Sequence, residues 1–121
     1  MIRTAQNRGQ ILNVYLPGRI PAGHEQTGSR PCVLLADPSE IQPLRFPLVI
    51  VAPLTTKSLD MLPLYPRLDE GMGNLPLDST VLLDQIIAVD IHRVRGYIGK
   101  LTEQEFAPIQ KGLLLMFDSW I

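Results

Sequence analysis

The sequence predicts a small, mostly β barrel that is closed by a C-terminal helix. Over most of the chain, short apolar runs rich in β-branched residues alternate with turns containing Gly and Pro, a pattern typical of strands. The last stretch instead places apolar residues at three- and four-residue spacing, which is typical of a helix. Five or six short strands followed by one helix favour a barrel over a layered α/β architecture.

Length and composition indicate one globular domain. Of the 121 residues, 45% are hydrophobic and 19% are charged, which is an ordinary globular balance. We predict a single domain over residues 1–121, with an N-terminal tail at 1–8 and the helix at 102–120. The tail lacks the apolar core of a secretion signal, and no apolar run approaches the roughly 18 residues that cross a bilayer. We therefore predict a cytoplasmic protein that does not contact the membrane.

The strands are predicted from apolar runs bounded by turn residues. The first, 10–16, is introduced by Gly9 and stopped by Pro17-Gly18. Near the ends of the third predicted strand, 46–54, Pro47 and Pro53 limit pairing because proline has no backbone N–H. The segment 57–77 is rich in Pro and Gly and is expected to be a long loop. The remaining predicted strands are 32–36, 46–54, 79–83 and 86–89, with at most a short strand near 62–68.

The terminal helix has a recognisable start. Thr102 and Glu105 have the spacing of a capping box, and Leu101 and Phe106 are placed to form a hydrophobic staple. Pro108 removes one backbone hydrogen bond, so the first turn is expected to be irregular or the helix to begin later. The apolar stripe is expected to pack in the core or in a dimer interface; it consists of Phe106, Ile109, Leu113, Met116, Phe117 and Trp120.

The loop between Gly23 and Pro31 carries an unusual density of functional groups. An imidazole, a carboxylate and a carboxamide follow Gly23, and Arg30 lies at the start of the next apolar run. A guanidinium fixed there suits a phosphate or a carboxylate. The alternative is that Glu25 and Arg30 pair across the loop and hold it shut. Asp84-Gln85 is a second conspicuous polar pair, because it interrupts otherwise apolar sequence.

Charge and cysteine content limit the classes of function. The net charge is −1, so no global basic field attracts nucleic acid. Up to Asp60 there are 6 Lys/Arg against 4 Asp/Glu, and after it 5 against 8, so a polyanion is expected to meet the first half. Cys32 is expected to be a buried, unreactive thiol. Two His and one Cys far apart form no recognisable ligand set, so neither a metal nor another cofactor is expected.

Three blocks of sequence carry a family resemblance. They are Gly-His-Glu-Gln-Thr-Gly-Ser-Arg-Pro at 23–31, Pro-Leu-Thr-Thr at 53–56, and Asp-Ser-Thr-Val-Leu-Leu-Asp-Gln at 78–85. From about Gly9 to the terminal helix, the chain resembles the MazF/PemK family of toxin endoribonucleases. The resemblance implies a homodimeric SH3-like barrel, metal-independent and sequence-specific cleavage of single-stranded RNA by 2′-hydroxyl attack, and a cognate antitoxin protein as partner.

The resemblance also implies which residues act. Asp84 would take the proton of the 2′-hydroxyl, Arg30 would stabilise the phosphorane, and protonated His24 would supply the leaving proton. The full expected catalytic set is Arg30, Thr55, Glu25, His24 and Asp84. Further RNA contacts are expected at Gln26, Ser29, Thr56, Lys57 and Gln85. One departure is notable: Leu82 occupies the position of an arginine in the PemK/Kid branch.

A function of another class fits the same barrel. The chain could be a non-catalytic binding module, a degenerate toxin relative or a topoisomerase poison of the related fold. Retention of the five expected catalytic residues favours the enzyme, whereas Leu82 counts against a complete catalytic set.

Overall fold

The molecule is built on a seven-stranded antiparallel sheet with a helix packed against it. The computed structural model describes residues 7–18, 23–60 and 62–118. Within these residues, the predicted architecture of a mostly β domain with a C-terminal helix is confirmed. The strands are β1 (Gln10–Leu16), β2 (Gly28–Ala36), β3 (Leu48–Thr55), β4 (Arg67–Leu68), β5 (Ser79–Val81), β6 (Ile87–Asp90) and β7 (Val94–Lys100), and the helix is α1 (Glu103–Phe117).

The sheet order is β4-β5-β3-β2-β1-β7, and β6 also pairs with β3. The outer edge of β3 therefore has two partners in succession. Its first half, Leu48 to Val51, pairs with β6, and its last two residues pair with β5. The partner changes at Pro53, which has no N–H to lose there, and the Pro53 carbonyl accepts a hydrogen bond from the Leu82 amide at 3.0 Å.

Several predicted boundaries were wrong, each for a local reason. β2 begins at Gly28, four residues before the predicted start, because the polar residues after Gly28 pair with β1 as an ordinary ladder. β7 was not predicted: Gly96 and Gly99 interrupt its apolar pattern, and most of its residues are exposed. Among the described residues there are thus seven strands rather than five or six.

The two faces of the sheet bury separate apolar clusters. Alternation along each strand sends successive side chains to opposite faces. One cluster lies between the sheet and α1 and includes Ile11, Val33, Leu54, Leu83, Phe106 and Ile109. The cluster on the other face includes Leu12, Val14, Leu16, Cys32, Leu34 and Val51.

Helix α1 begins as its sequence predicts. Thr102 Oγ1 accepts a hydrogen bond from the Glu105 amide at 3.1 Å, and Glu105 Oε1 accepts one from the Thr102 amide at 2.8 Å. Pro108 is accommodated inside the helix, which still begins at Glu103. The helix ends at Phe117, short of residue 120, and Trp120 lies outside the described residues. Phe117 is 74% exposed, so the end of the apolar stripe is not core in the single chain.

Gly99 provides a test of how closely β7 packs against the segment that contains Gly73. An added Cβ at Gly99 would overlap the backbone carbonyl of Gly73, whereas an added Cβ at Gly96, in the same strand, would meet no atom within 4 Å. We expect Gly99→Ala to lower the free energy of unfolding by about 1–3 kcal/mol, the usual cost of overpacking. Gly96→Ala is the matched control. Equal denaturation midpoints for the two variants in urea would contradict the packing described for β7.

Candidate active site

A short turn between β5 and β6 presents the polar pair Asp84-Gln85. The 3-10 turn Leu83–Gln85 is anchored by Leu83, whose side chain is fully buried against the α1 side of the sheet. The Leu83 amide also donates to the carbonyl of Leu64 at 3.1 Å. Leu83 holds the turn on its buried side, and on the other side Asp84 is exposed and Gln85 is half-buried. The polar pair that interrupts the apolar sequence is therefore at the surface and not in the core.

Asp84 is held by a tyrosine. The Tyr65 hydroxyl donates a hydrogen bond of 2.6 Å to Asp84 Oδ2, and this bond raises the pKa of the tyrosine. The other carboxylate oxygen, Oδ1, has no hydrogen-bond partner within the described part of the chain. Asp84 consequently has a fixed orientation and one oxygen free to accept a proton.

Gln85 connects the loop between Gly23 and Pro31 to this turn. Its side-chain oxygen accepts a hydrogen bond from the Gln26 backbone amide at 2.8 Å, across 59 positions of sequence. The loop segment that carries Glu25 is thereby held next to Asp84. One turn therefore positions two side-chain oxygens: Asp84 Oδ2, which contacts Tyr65, and Gln85 Oε1, which contacts Gln26.

An open cleft of about 190 Å³ lies between the loop and the turn. Its polar wall consists of Glu25, Gln26, Asp84 and Gln85, and its apolar wall consists of Leu16, Pro17, Pro53, Ile86 and Ile87. The floor is formed where β3 changes partner at Pro53. Four of the residues predicted as site residues are thus brought into one cleft.

Arg30 and Thr55 lie at the strand ends beside this cleft. Cys32 of β2 is opposite Pro53 of β3, so continuing the antiparallel register by two residues places Arg30 opposite Thr55. Alternation puts both side chains on the same face as Leu16, which lines the cleft. Arg30 and Thr55 are therefore neighbours on one face of the sheet.

The Arg30 side chain does not pair with Glu25. Its Nε donates to the carbonyl of Thr27 at 2.8 Å, and its two terminal nitrogens have no hydrogen-bond partner in the described ranges. Thr55 is buried, and its Oγ1 accepts from the Lys57 amide at 3.2 Å. The hydroxyl proton of Thr55 can still be donated. The alternative in which Glu25 and Arg30 simply close the loop as an ion pair is therefore not found.

The remaining predicted residues are more dispersed. His24 is exposed and is not part of the cleft wall, and Thr56 and Lys57 are exposed after β3. Ser29 is exposed and, by strand alternation, faces the side of the sheet opposite to Arg30. Leu82 is buried, with 4% of its surface exposed, so this position presents no group to the cleft.

Cys32 is not part of the chemistry. Burial raises the pKa of its thiol to about 12, despite the opposing effect of the Arg30 charge. Nucleophilic cysteines need the thiolate, and this one stays protonated near neutral pH. Within residues 7–18, 23–60 and 62–118 there is also no group of three or more His, Cys, Asp or Glu side chains that could hold a metal ion.

Tyr65 is a candidate site residue that sequence reasoning missed. It lies between Pro63 and Pro66, in a stretch whose composition indicated only a loop. No local pattern signals its contact, because the partner is 19 residues away along the chain. A tyrosine between two prolines in a predicted loop is the one weak clue.

Comparison with known proteins decides the family. The sequence model of the PemK-like, MazF-like toxins of type II toxin–antitoxin systems matches residues 7–117. The chain belongs to this family. The resemblance found in the three sequence blocks is therefore confirmed. No curated protein matches the chain in sequence.

Solved structures of MazF-like proteins share the fold. A MazF from Deinococcus radiodurans is 19% identical, with a TM-score of 0.71, over 96% of this chain and 99% of that one. The Mycobacterium tuberculosis toxin MazF-mt6 is 21% identical, with a TM-score of 0.69, over 90% and 96%. A mycobacterial endoribonuclease in complex with its cognate antitoxin is 20% identical, with a TM-score of 0.70, over 94% and 96%. The MazF-like fold predicted for the chain is confirmed.

The described part of the chain includes no helix of the length and apolar character that crossing a membrane requires.

Proposed function

We propose that this MazF/PemK-family toxin is a metal-independent, sequence-specific endoribonuclease that cleaves single-stranded RNA. The observation that carries the proposal is the cleft that Asp84, oriented by Tyr65, lines together with Glu25. Arg30, whose terminal nitrogens have no partner among the described residues, lies on the same sheet face as Leu16 of this cleft. Structural neighbours that are endoribonucleases add support.

The groups of the cleft, together with His24 of the adjoining loop, can be assigned to the steps of RNA self-cleavage. Asp84 Oδ1 takes the proton from the 2′-hydroxyl, and the 2′-oxygen attacks the adjacent phosphorus. The bond from phosphorus to the 5′-oxygen breaks, and His24 gives that oxygen its proton. The products are a 2′,3′-cyclic phosphate and a 5′-hydroxyl. Glu25, on the same cleft wall as Asp84, is the reserve base.

Charge that grows on the phosphorane needs preorganised donors. Arg30 offers its two open terminal nitrogens, and Thr55 offers its hydroxyl proton from the neighbouring strand. Such donors act most strongly when they are fixed in place before reaction, and the Arg30–Thr27 hydrogen bond fixes the guanidinium. RNA on either side of the cut is assigned to Gln26, Ser29, Thr56, Lys57 and Gln85.

The partners follow from the family. The chain acts in the cytoplasm as the toxin of a type II pair, and a cognate antitoxin protein restrains it. A homodimer is proposed because large apolar side chains are exposed at the C-terminal end of α1, namely Leu114, Leu115 and Phe117. Closed twofold dimers are the commonest way to cover such a surface.

The non-catalytic binding module remains the second candidate, and Leu82 is the observation that favours it. An apolar, buried residue at this position cannot assist in proton transfer. On the enzymatic proposal, the proton must therefore come from His24 or from water. This difference makes the cleavage assay decisive.

The first prediction tests catalysis and its electrostatic basis. Purified protein should cut long RNA in EDTA and leave 2′,3′-cyclic phosphate ends. Arg30→Ala should lower the single-turnover rate by about 100-fold or more, the usual loss for a preorganised donor, while RNA affinity falls much less. Arg30→Lys should not restore the rate, because a point charge does not reproduce the planar fork. Cleavage that requires added magnesium, or an Arg30→Ala loss confined to binding, would refute the mechanism.

The second prediction separates the base from the residue that positions it. Asp84→Asn should abolish most of the single-turnover rate. Tyr65→Phe should lower it only about tenfold, because the carboxylate stays but loses one charge-assisted hydrogen bond. If Asp84→Asn cuts RNA normally, the base must be sought at Glu25.

The third prediction concerns the dimer. Leu114→Glu should convert the protein to a monomer at micromolar concentration in light scattering, since a carboxylate cannot be buried in an apolar interface without large cost. Ile41→Glu, at a position that is also well exposed but lies outside α1, is the matched control. A monomeric wild-type protein with full activity would remove the dimer from the proposal.

A further inference from the structure

Two arginines converge on one exposed tyrosine outside the cleft. We propose that this arginine–tyrosine patch, consisting of Tyr15, Arg93 and Arg95, binds the phosphates and one base of RNA that flanks the cleavage site. The inference rests on the proposed RNA substrate and adds a binding site to it.

The geometry places both guanidinium groups against the same ring. The Cζ atoms of Arg93 and Arg95 lie 5.9 Å and 5.7 Å from the centroid of the Tyr15 ring, and Tyr15 is 37% exposed. A ring that lies beside two cations and is partly open to solvent can stack a base, while the guanidinium nitrogens contact phosphate oxygens.

The backbone explains why both arginines reach this ring. β7 pairs with β1, but Gly96 is opposite Asn13 and Val94 is opposite Val14, so Arg95 is the extra residue of a bulge. Bulges redirect side chains. Arg93 ends the 3-10 turn Ile91–Arg93 immediately before β7.

Neither Arg93 nor Arg95 forms an ion pair among the residues that the structure describes. Asp90 lies in the field of Arg93, but its carboxylate accepts from the backbone amide and Nδ1 of His92 at 2.8 Å and 2.6 Å. Two cations beside one ring also repel each other, so a simple structural role would be poorly served by this arrangement. An anion between them removes the repulsion.

The patch and the cleft lie on opposite faces of the sheet, and both are at the C-terminal end of β1. Tyr15 precedes Leu16, which lines the cleft, and it is opposite Ser29, which precedes Arg30. By alternation, Tyr15 and Ser29 face one side of the sheet while Leu16 and Arg30 face the other. An RNA strand that leaves the cleft around this sheet end therefore meets Ser29 and then Tyr15. Single strands have the flexibility for such a turn, and the polyanion supplies the charge that the patch lacks.

The test measures binding and cleavage separately. The probe is a fluorescein-labelled, fully 2′-O-methylated RNA of about 20 nucleotides, longer than the site of a single small binding domain, which cannot be cleaved by 2′-hydroxyl attack. We expect the double variant Arg93→Gln/Arg95→Gln to bind it about tenfold more weakly. The slope of log Kd against log salt should fall by about 1.4, which is roughly 0.7 for each lost phosphate contact on a single strand. Tyr15→Ala should weaken binding with little change of slope.

Arg45→Gln is the matched control, because Arg45 also stacks on an exposed ring, that of Phe46 at 5.7 Å. It should leave affinity and slope unchanged. Unaltered affinity of the double variant, or an equal loss with Arg45→Gln, overturns the patch. Failure of the wild-type protein to cleave unmodified RNA overturns the proposed function instead, and the binding comparison still decides the patch.

With cleavable RNA, kcat/KM of the double variant should fall for long substrates while kcat at saturation is retained. A fall in kcat would contradict a purely flanking role.

Discussion

The change of pairing partner along the outer edge of β3 determines where the site lies. A strand edge that pairs with β6 and then with β5 must leave a gap where one neighbour ends and the other begins. Pro53 is located at that gap, where a missing N–H costs nothing. The chain that crosses the gap is the turn Leu83–Gln85, so the turn carrying Asp84 is exposed by the topology of the sheet. The cleft is thus a consequence of how the sheet is assembled.

Much of this could be predicted from the sequence, and the limits have physical causes. The boundaries of β1, the capping box of α1 and the burial of Cys32 depend on local patterns, and all were confirmed. β7 escaped prediction because its glycines and exposed residues carry no apolar alternation. The early start of β2 escaped because a polar ladder paired with β1 has the composition of a loop.

The sequence indicated candidate site residues but not their arrangement. Sequence blocks indicated Glu25, Arg30 and Asp84, yet the contact between Tyr65 and Asp84 and the link from Gln85 to Gln26 join distant segments and leave no local signal. Charge counting had the same limitation. The count of charges predicted that a polyanion meets the first half of the chain. In the structure, β7 places Arg93 and Arg95, from the acidic second half, beside β1.

The helix sets the position of the site from the opposite face of the sheet. An added Cβ at Gly112 of α1 would lie 2.5 Å from a methyl carbon of Leu83 and 2.5 Å from the carbonyl oxygen of Pro63. Only glycine allows α1 to approach both segments so closely. Leu83 carries the turn with Asp84, and Pro63 belongs to the segment with Tyr65. Because one point on the helix supports both segments, the separation of the tyrosine hydroxyl from the carboxylate is fixed by core packing as well as by their own hydrogen bond. Rigid support of this kind is what preorganised catalysis requires, since a group that must be repositioned during reaction loses most of its electrostatic advantage.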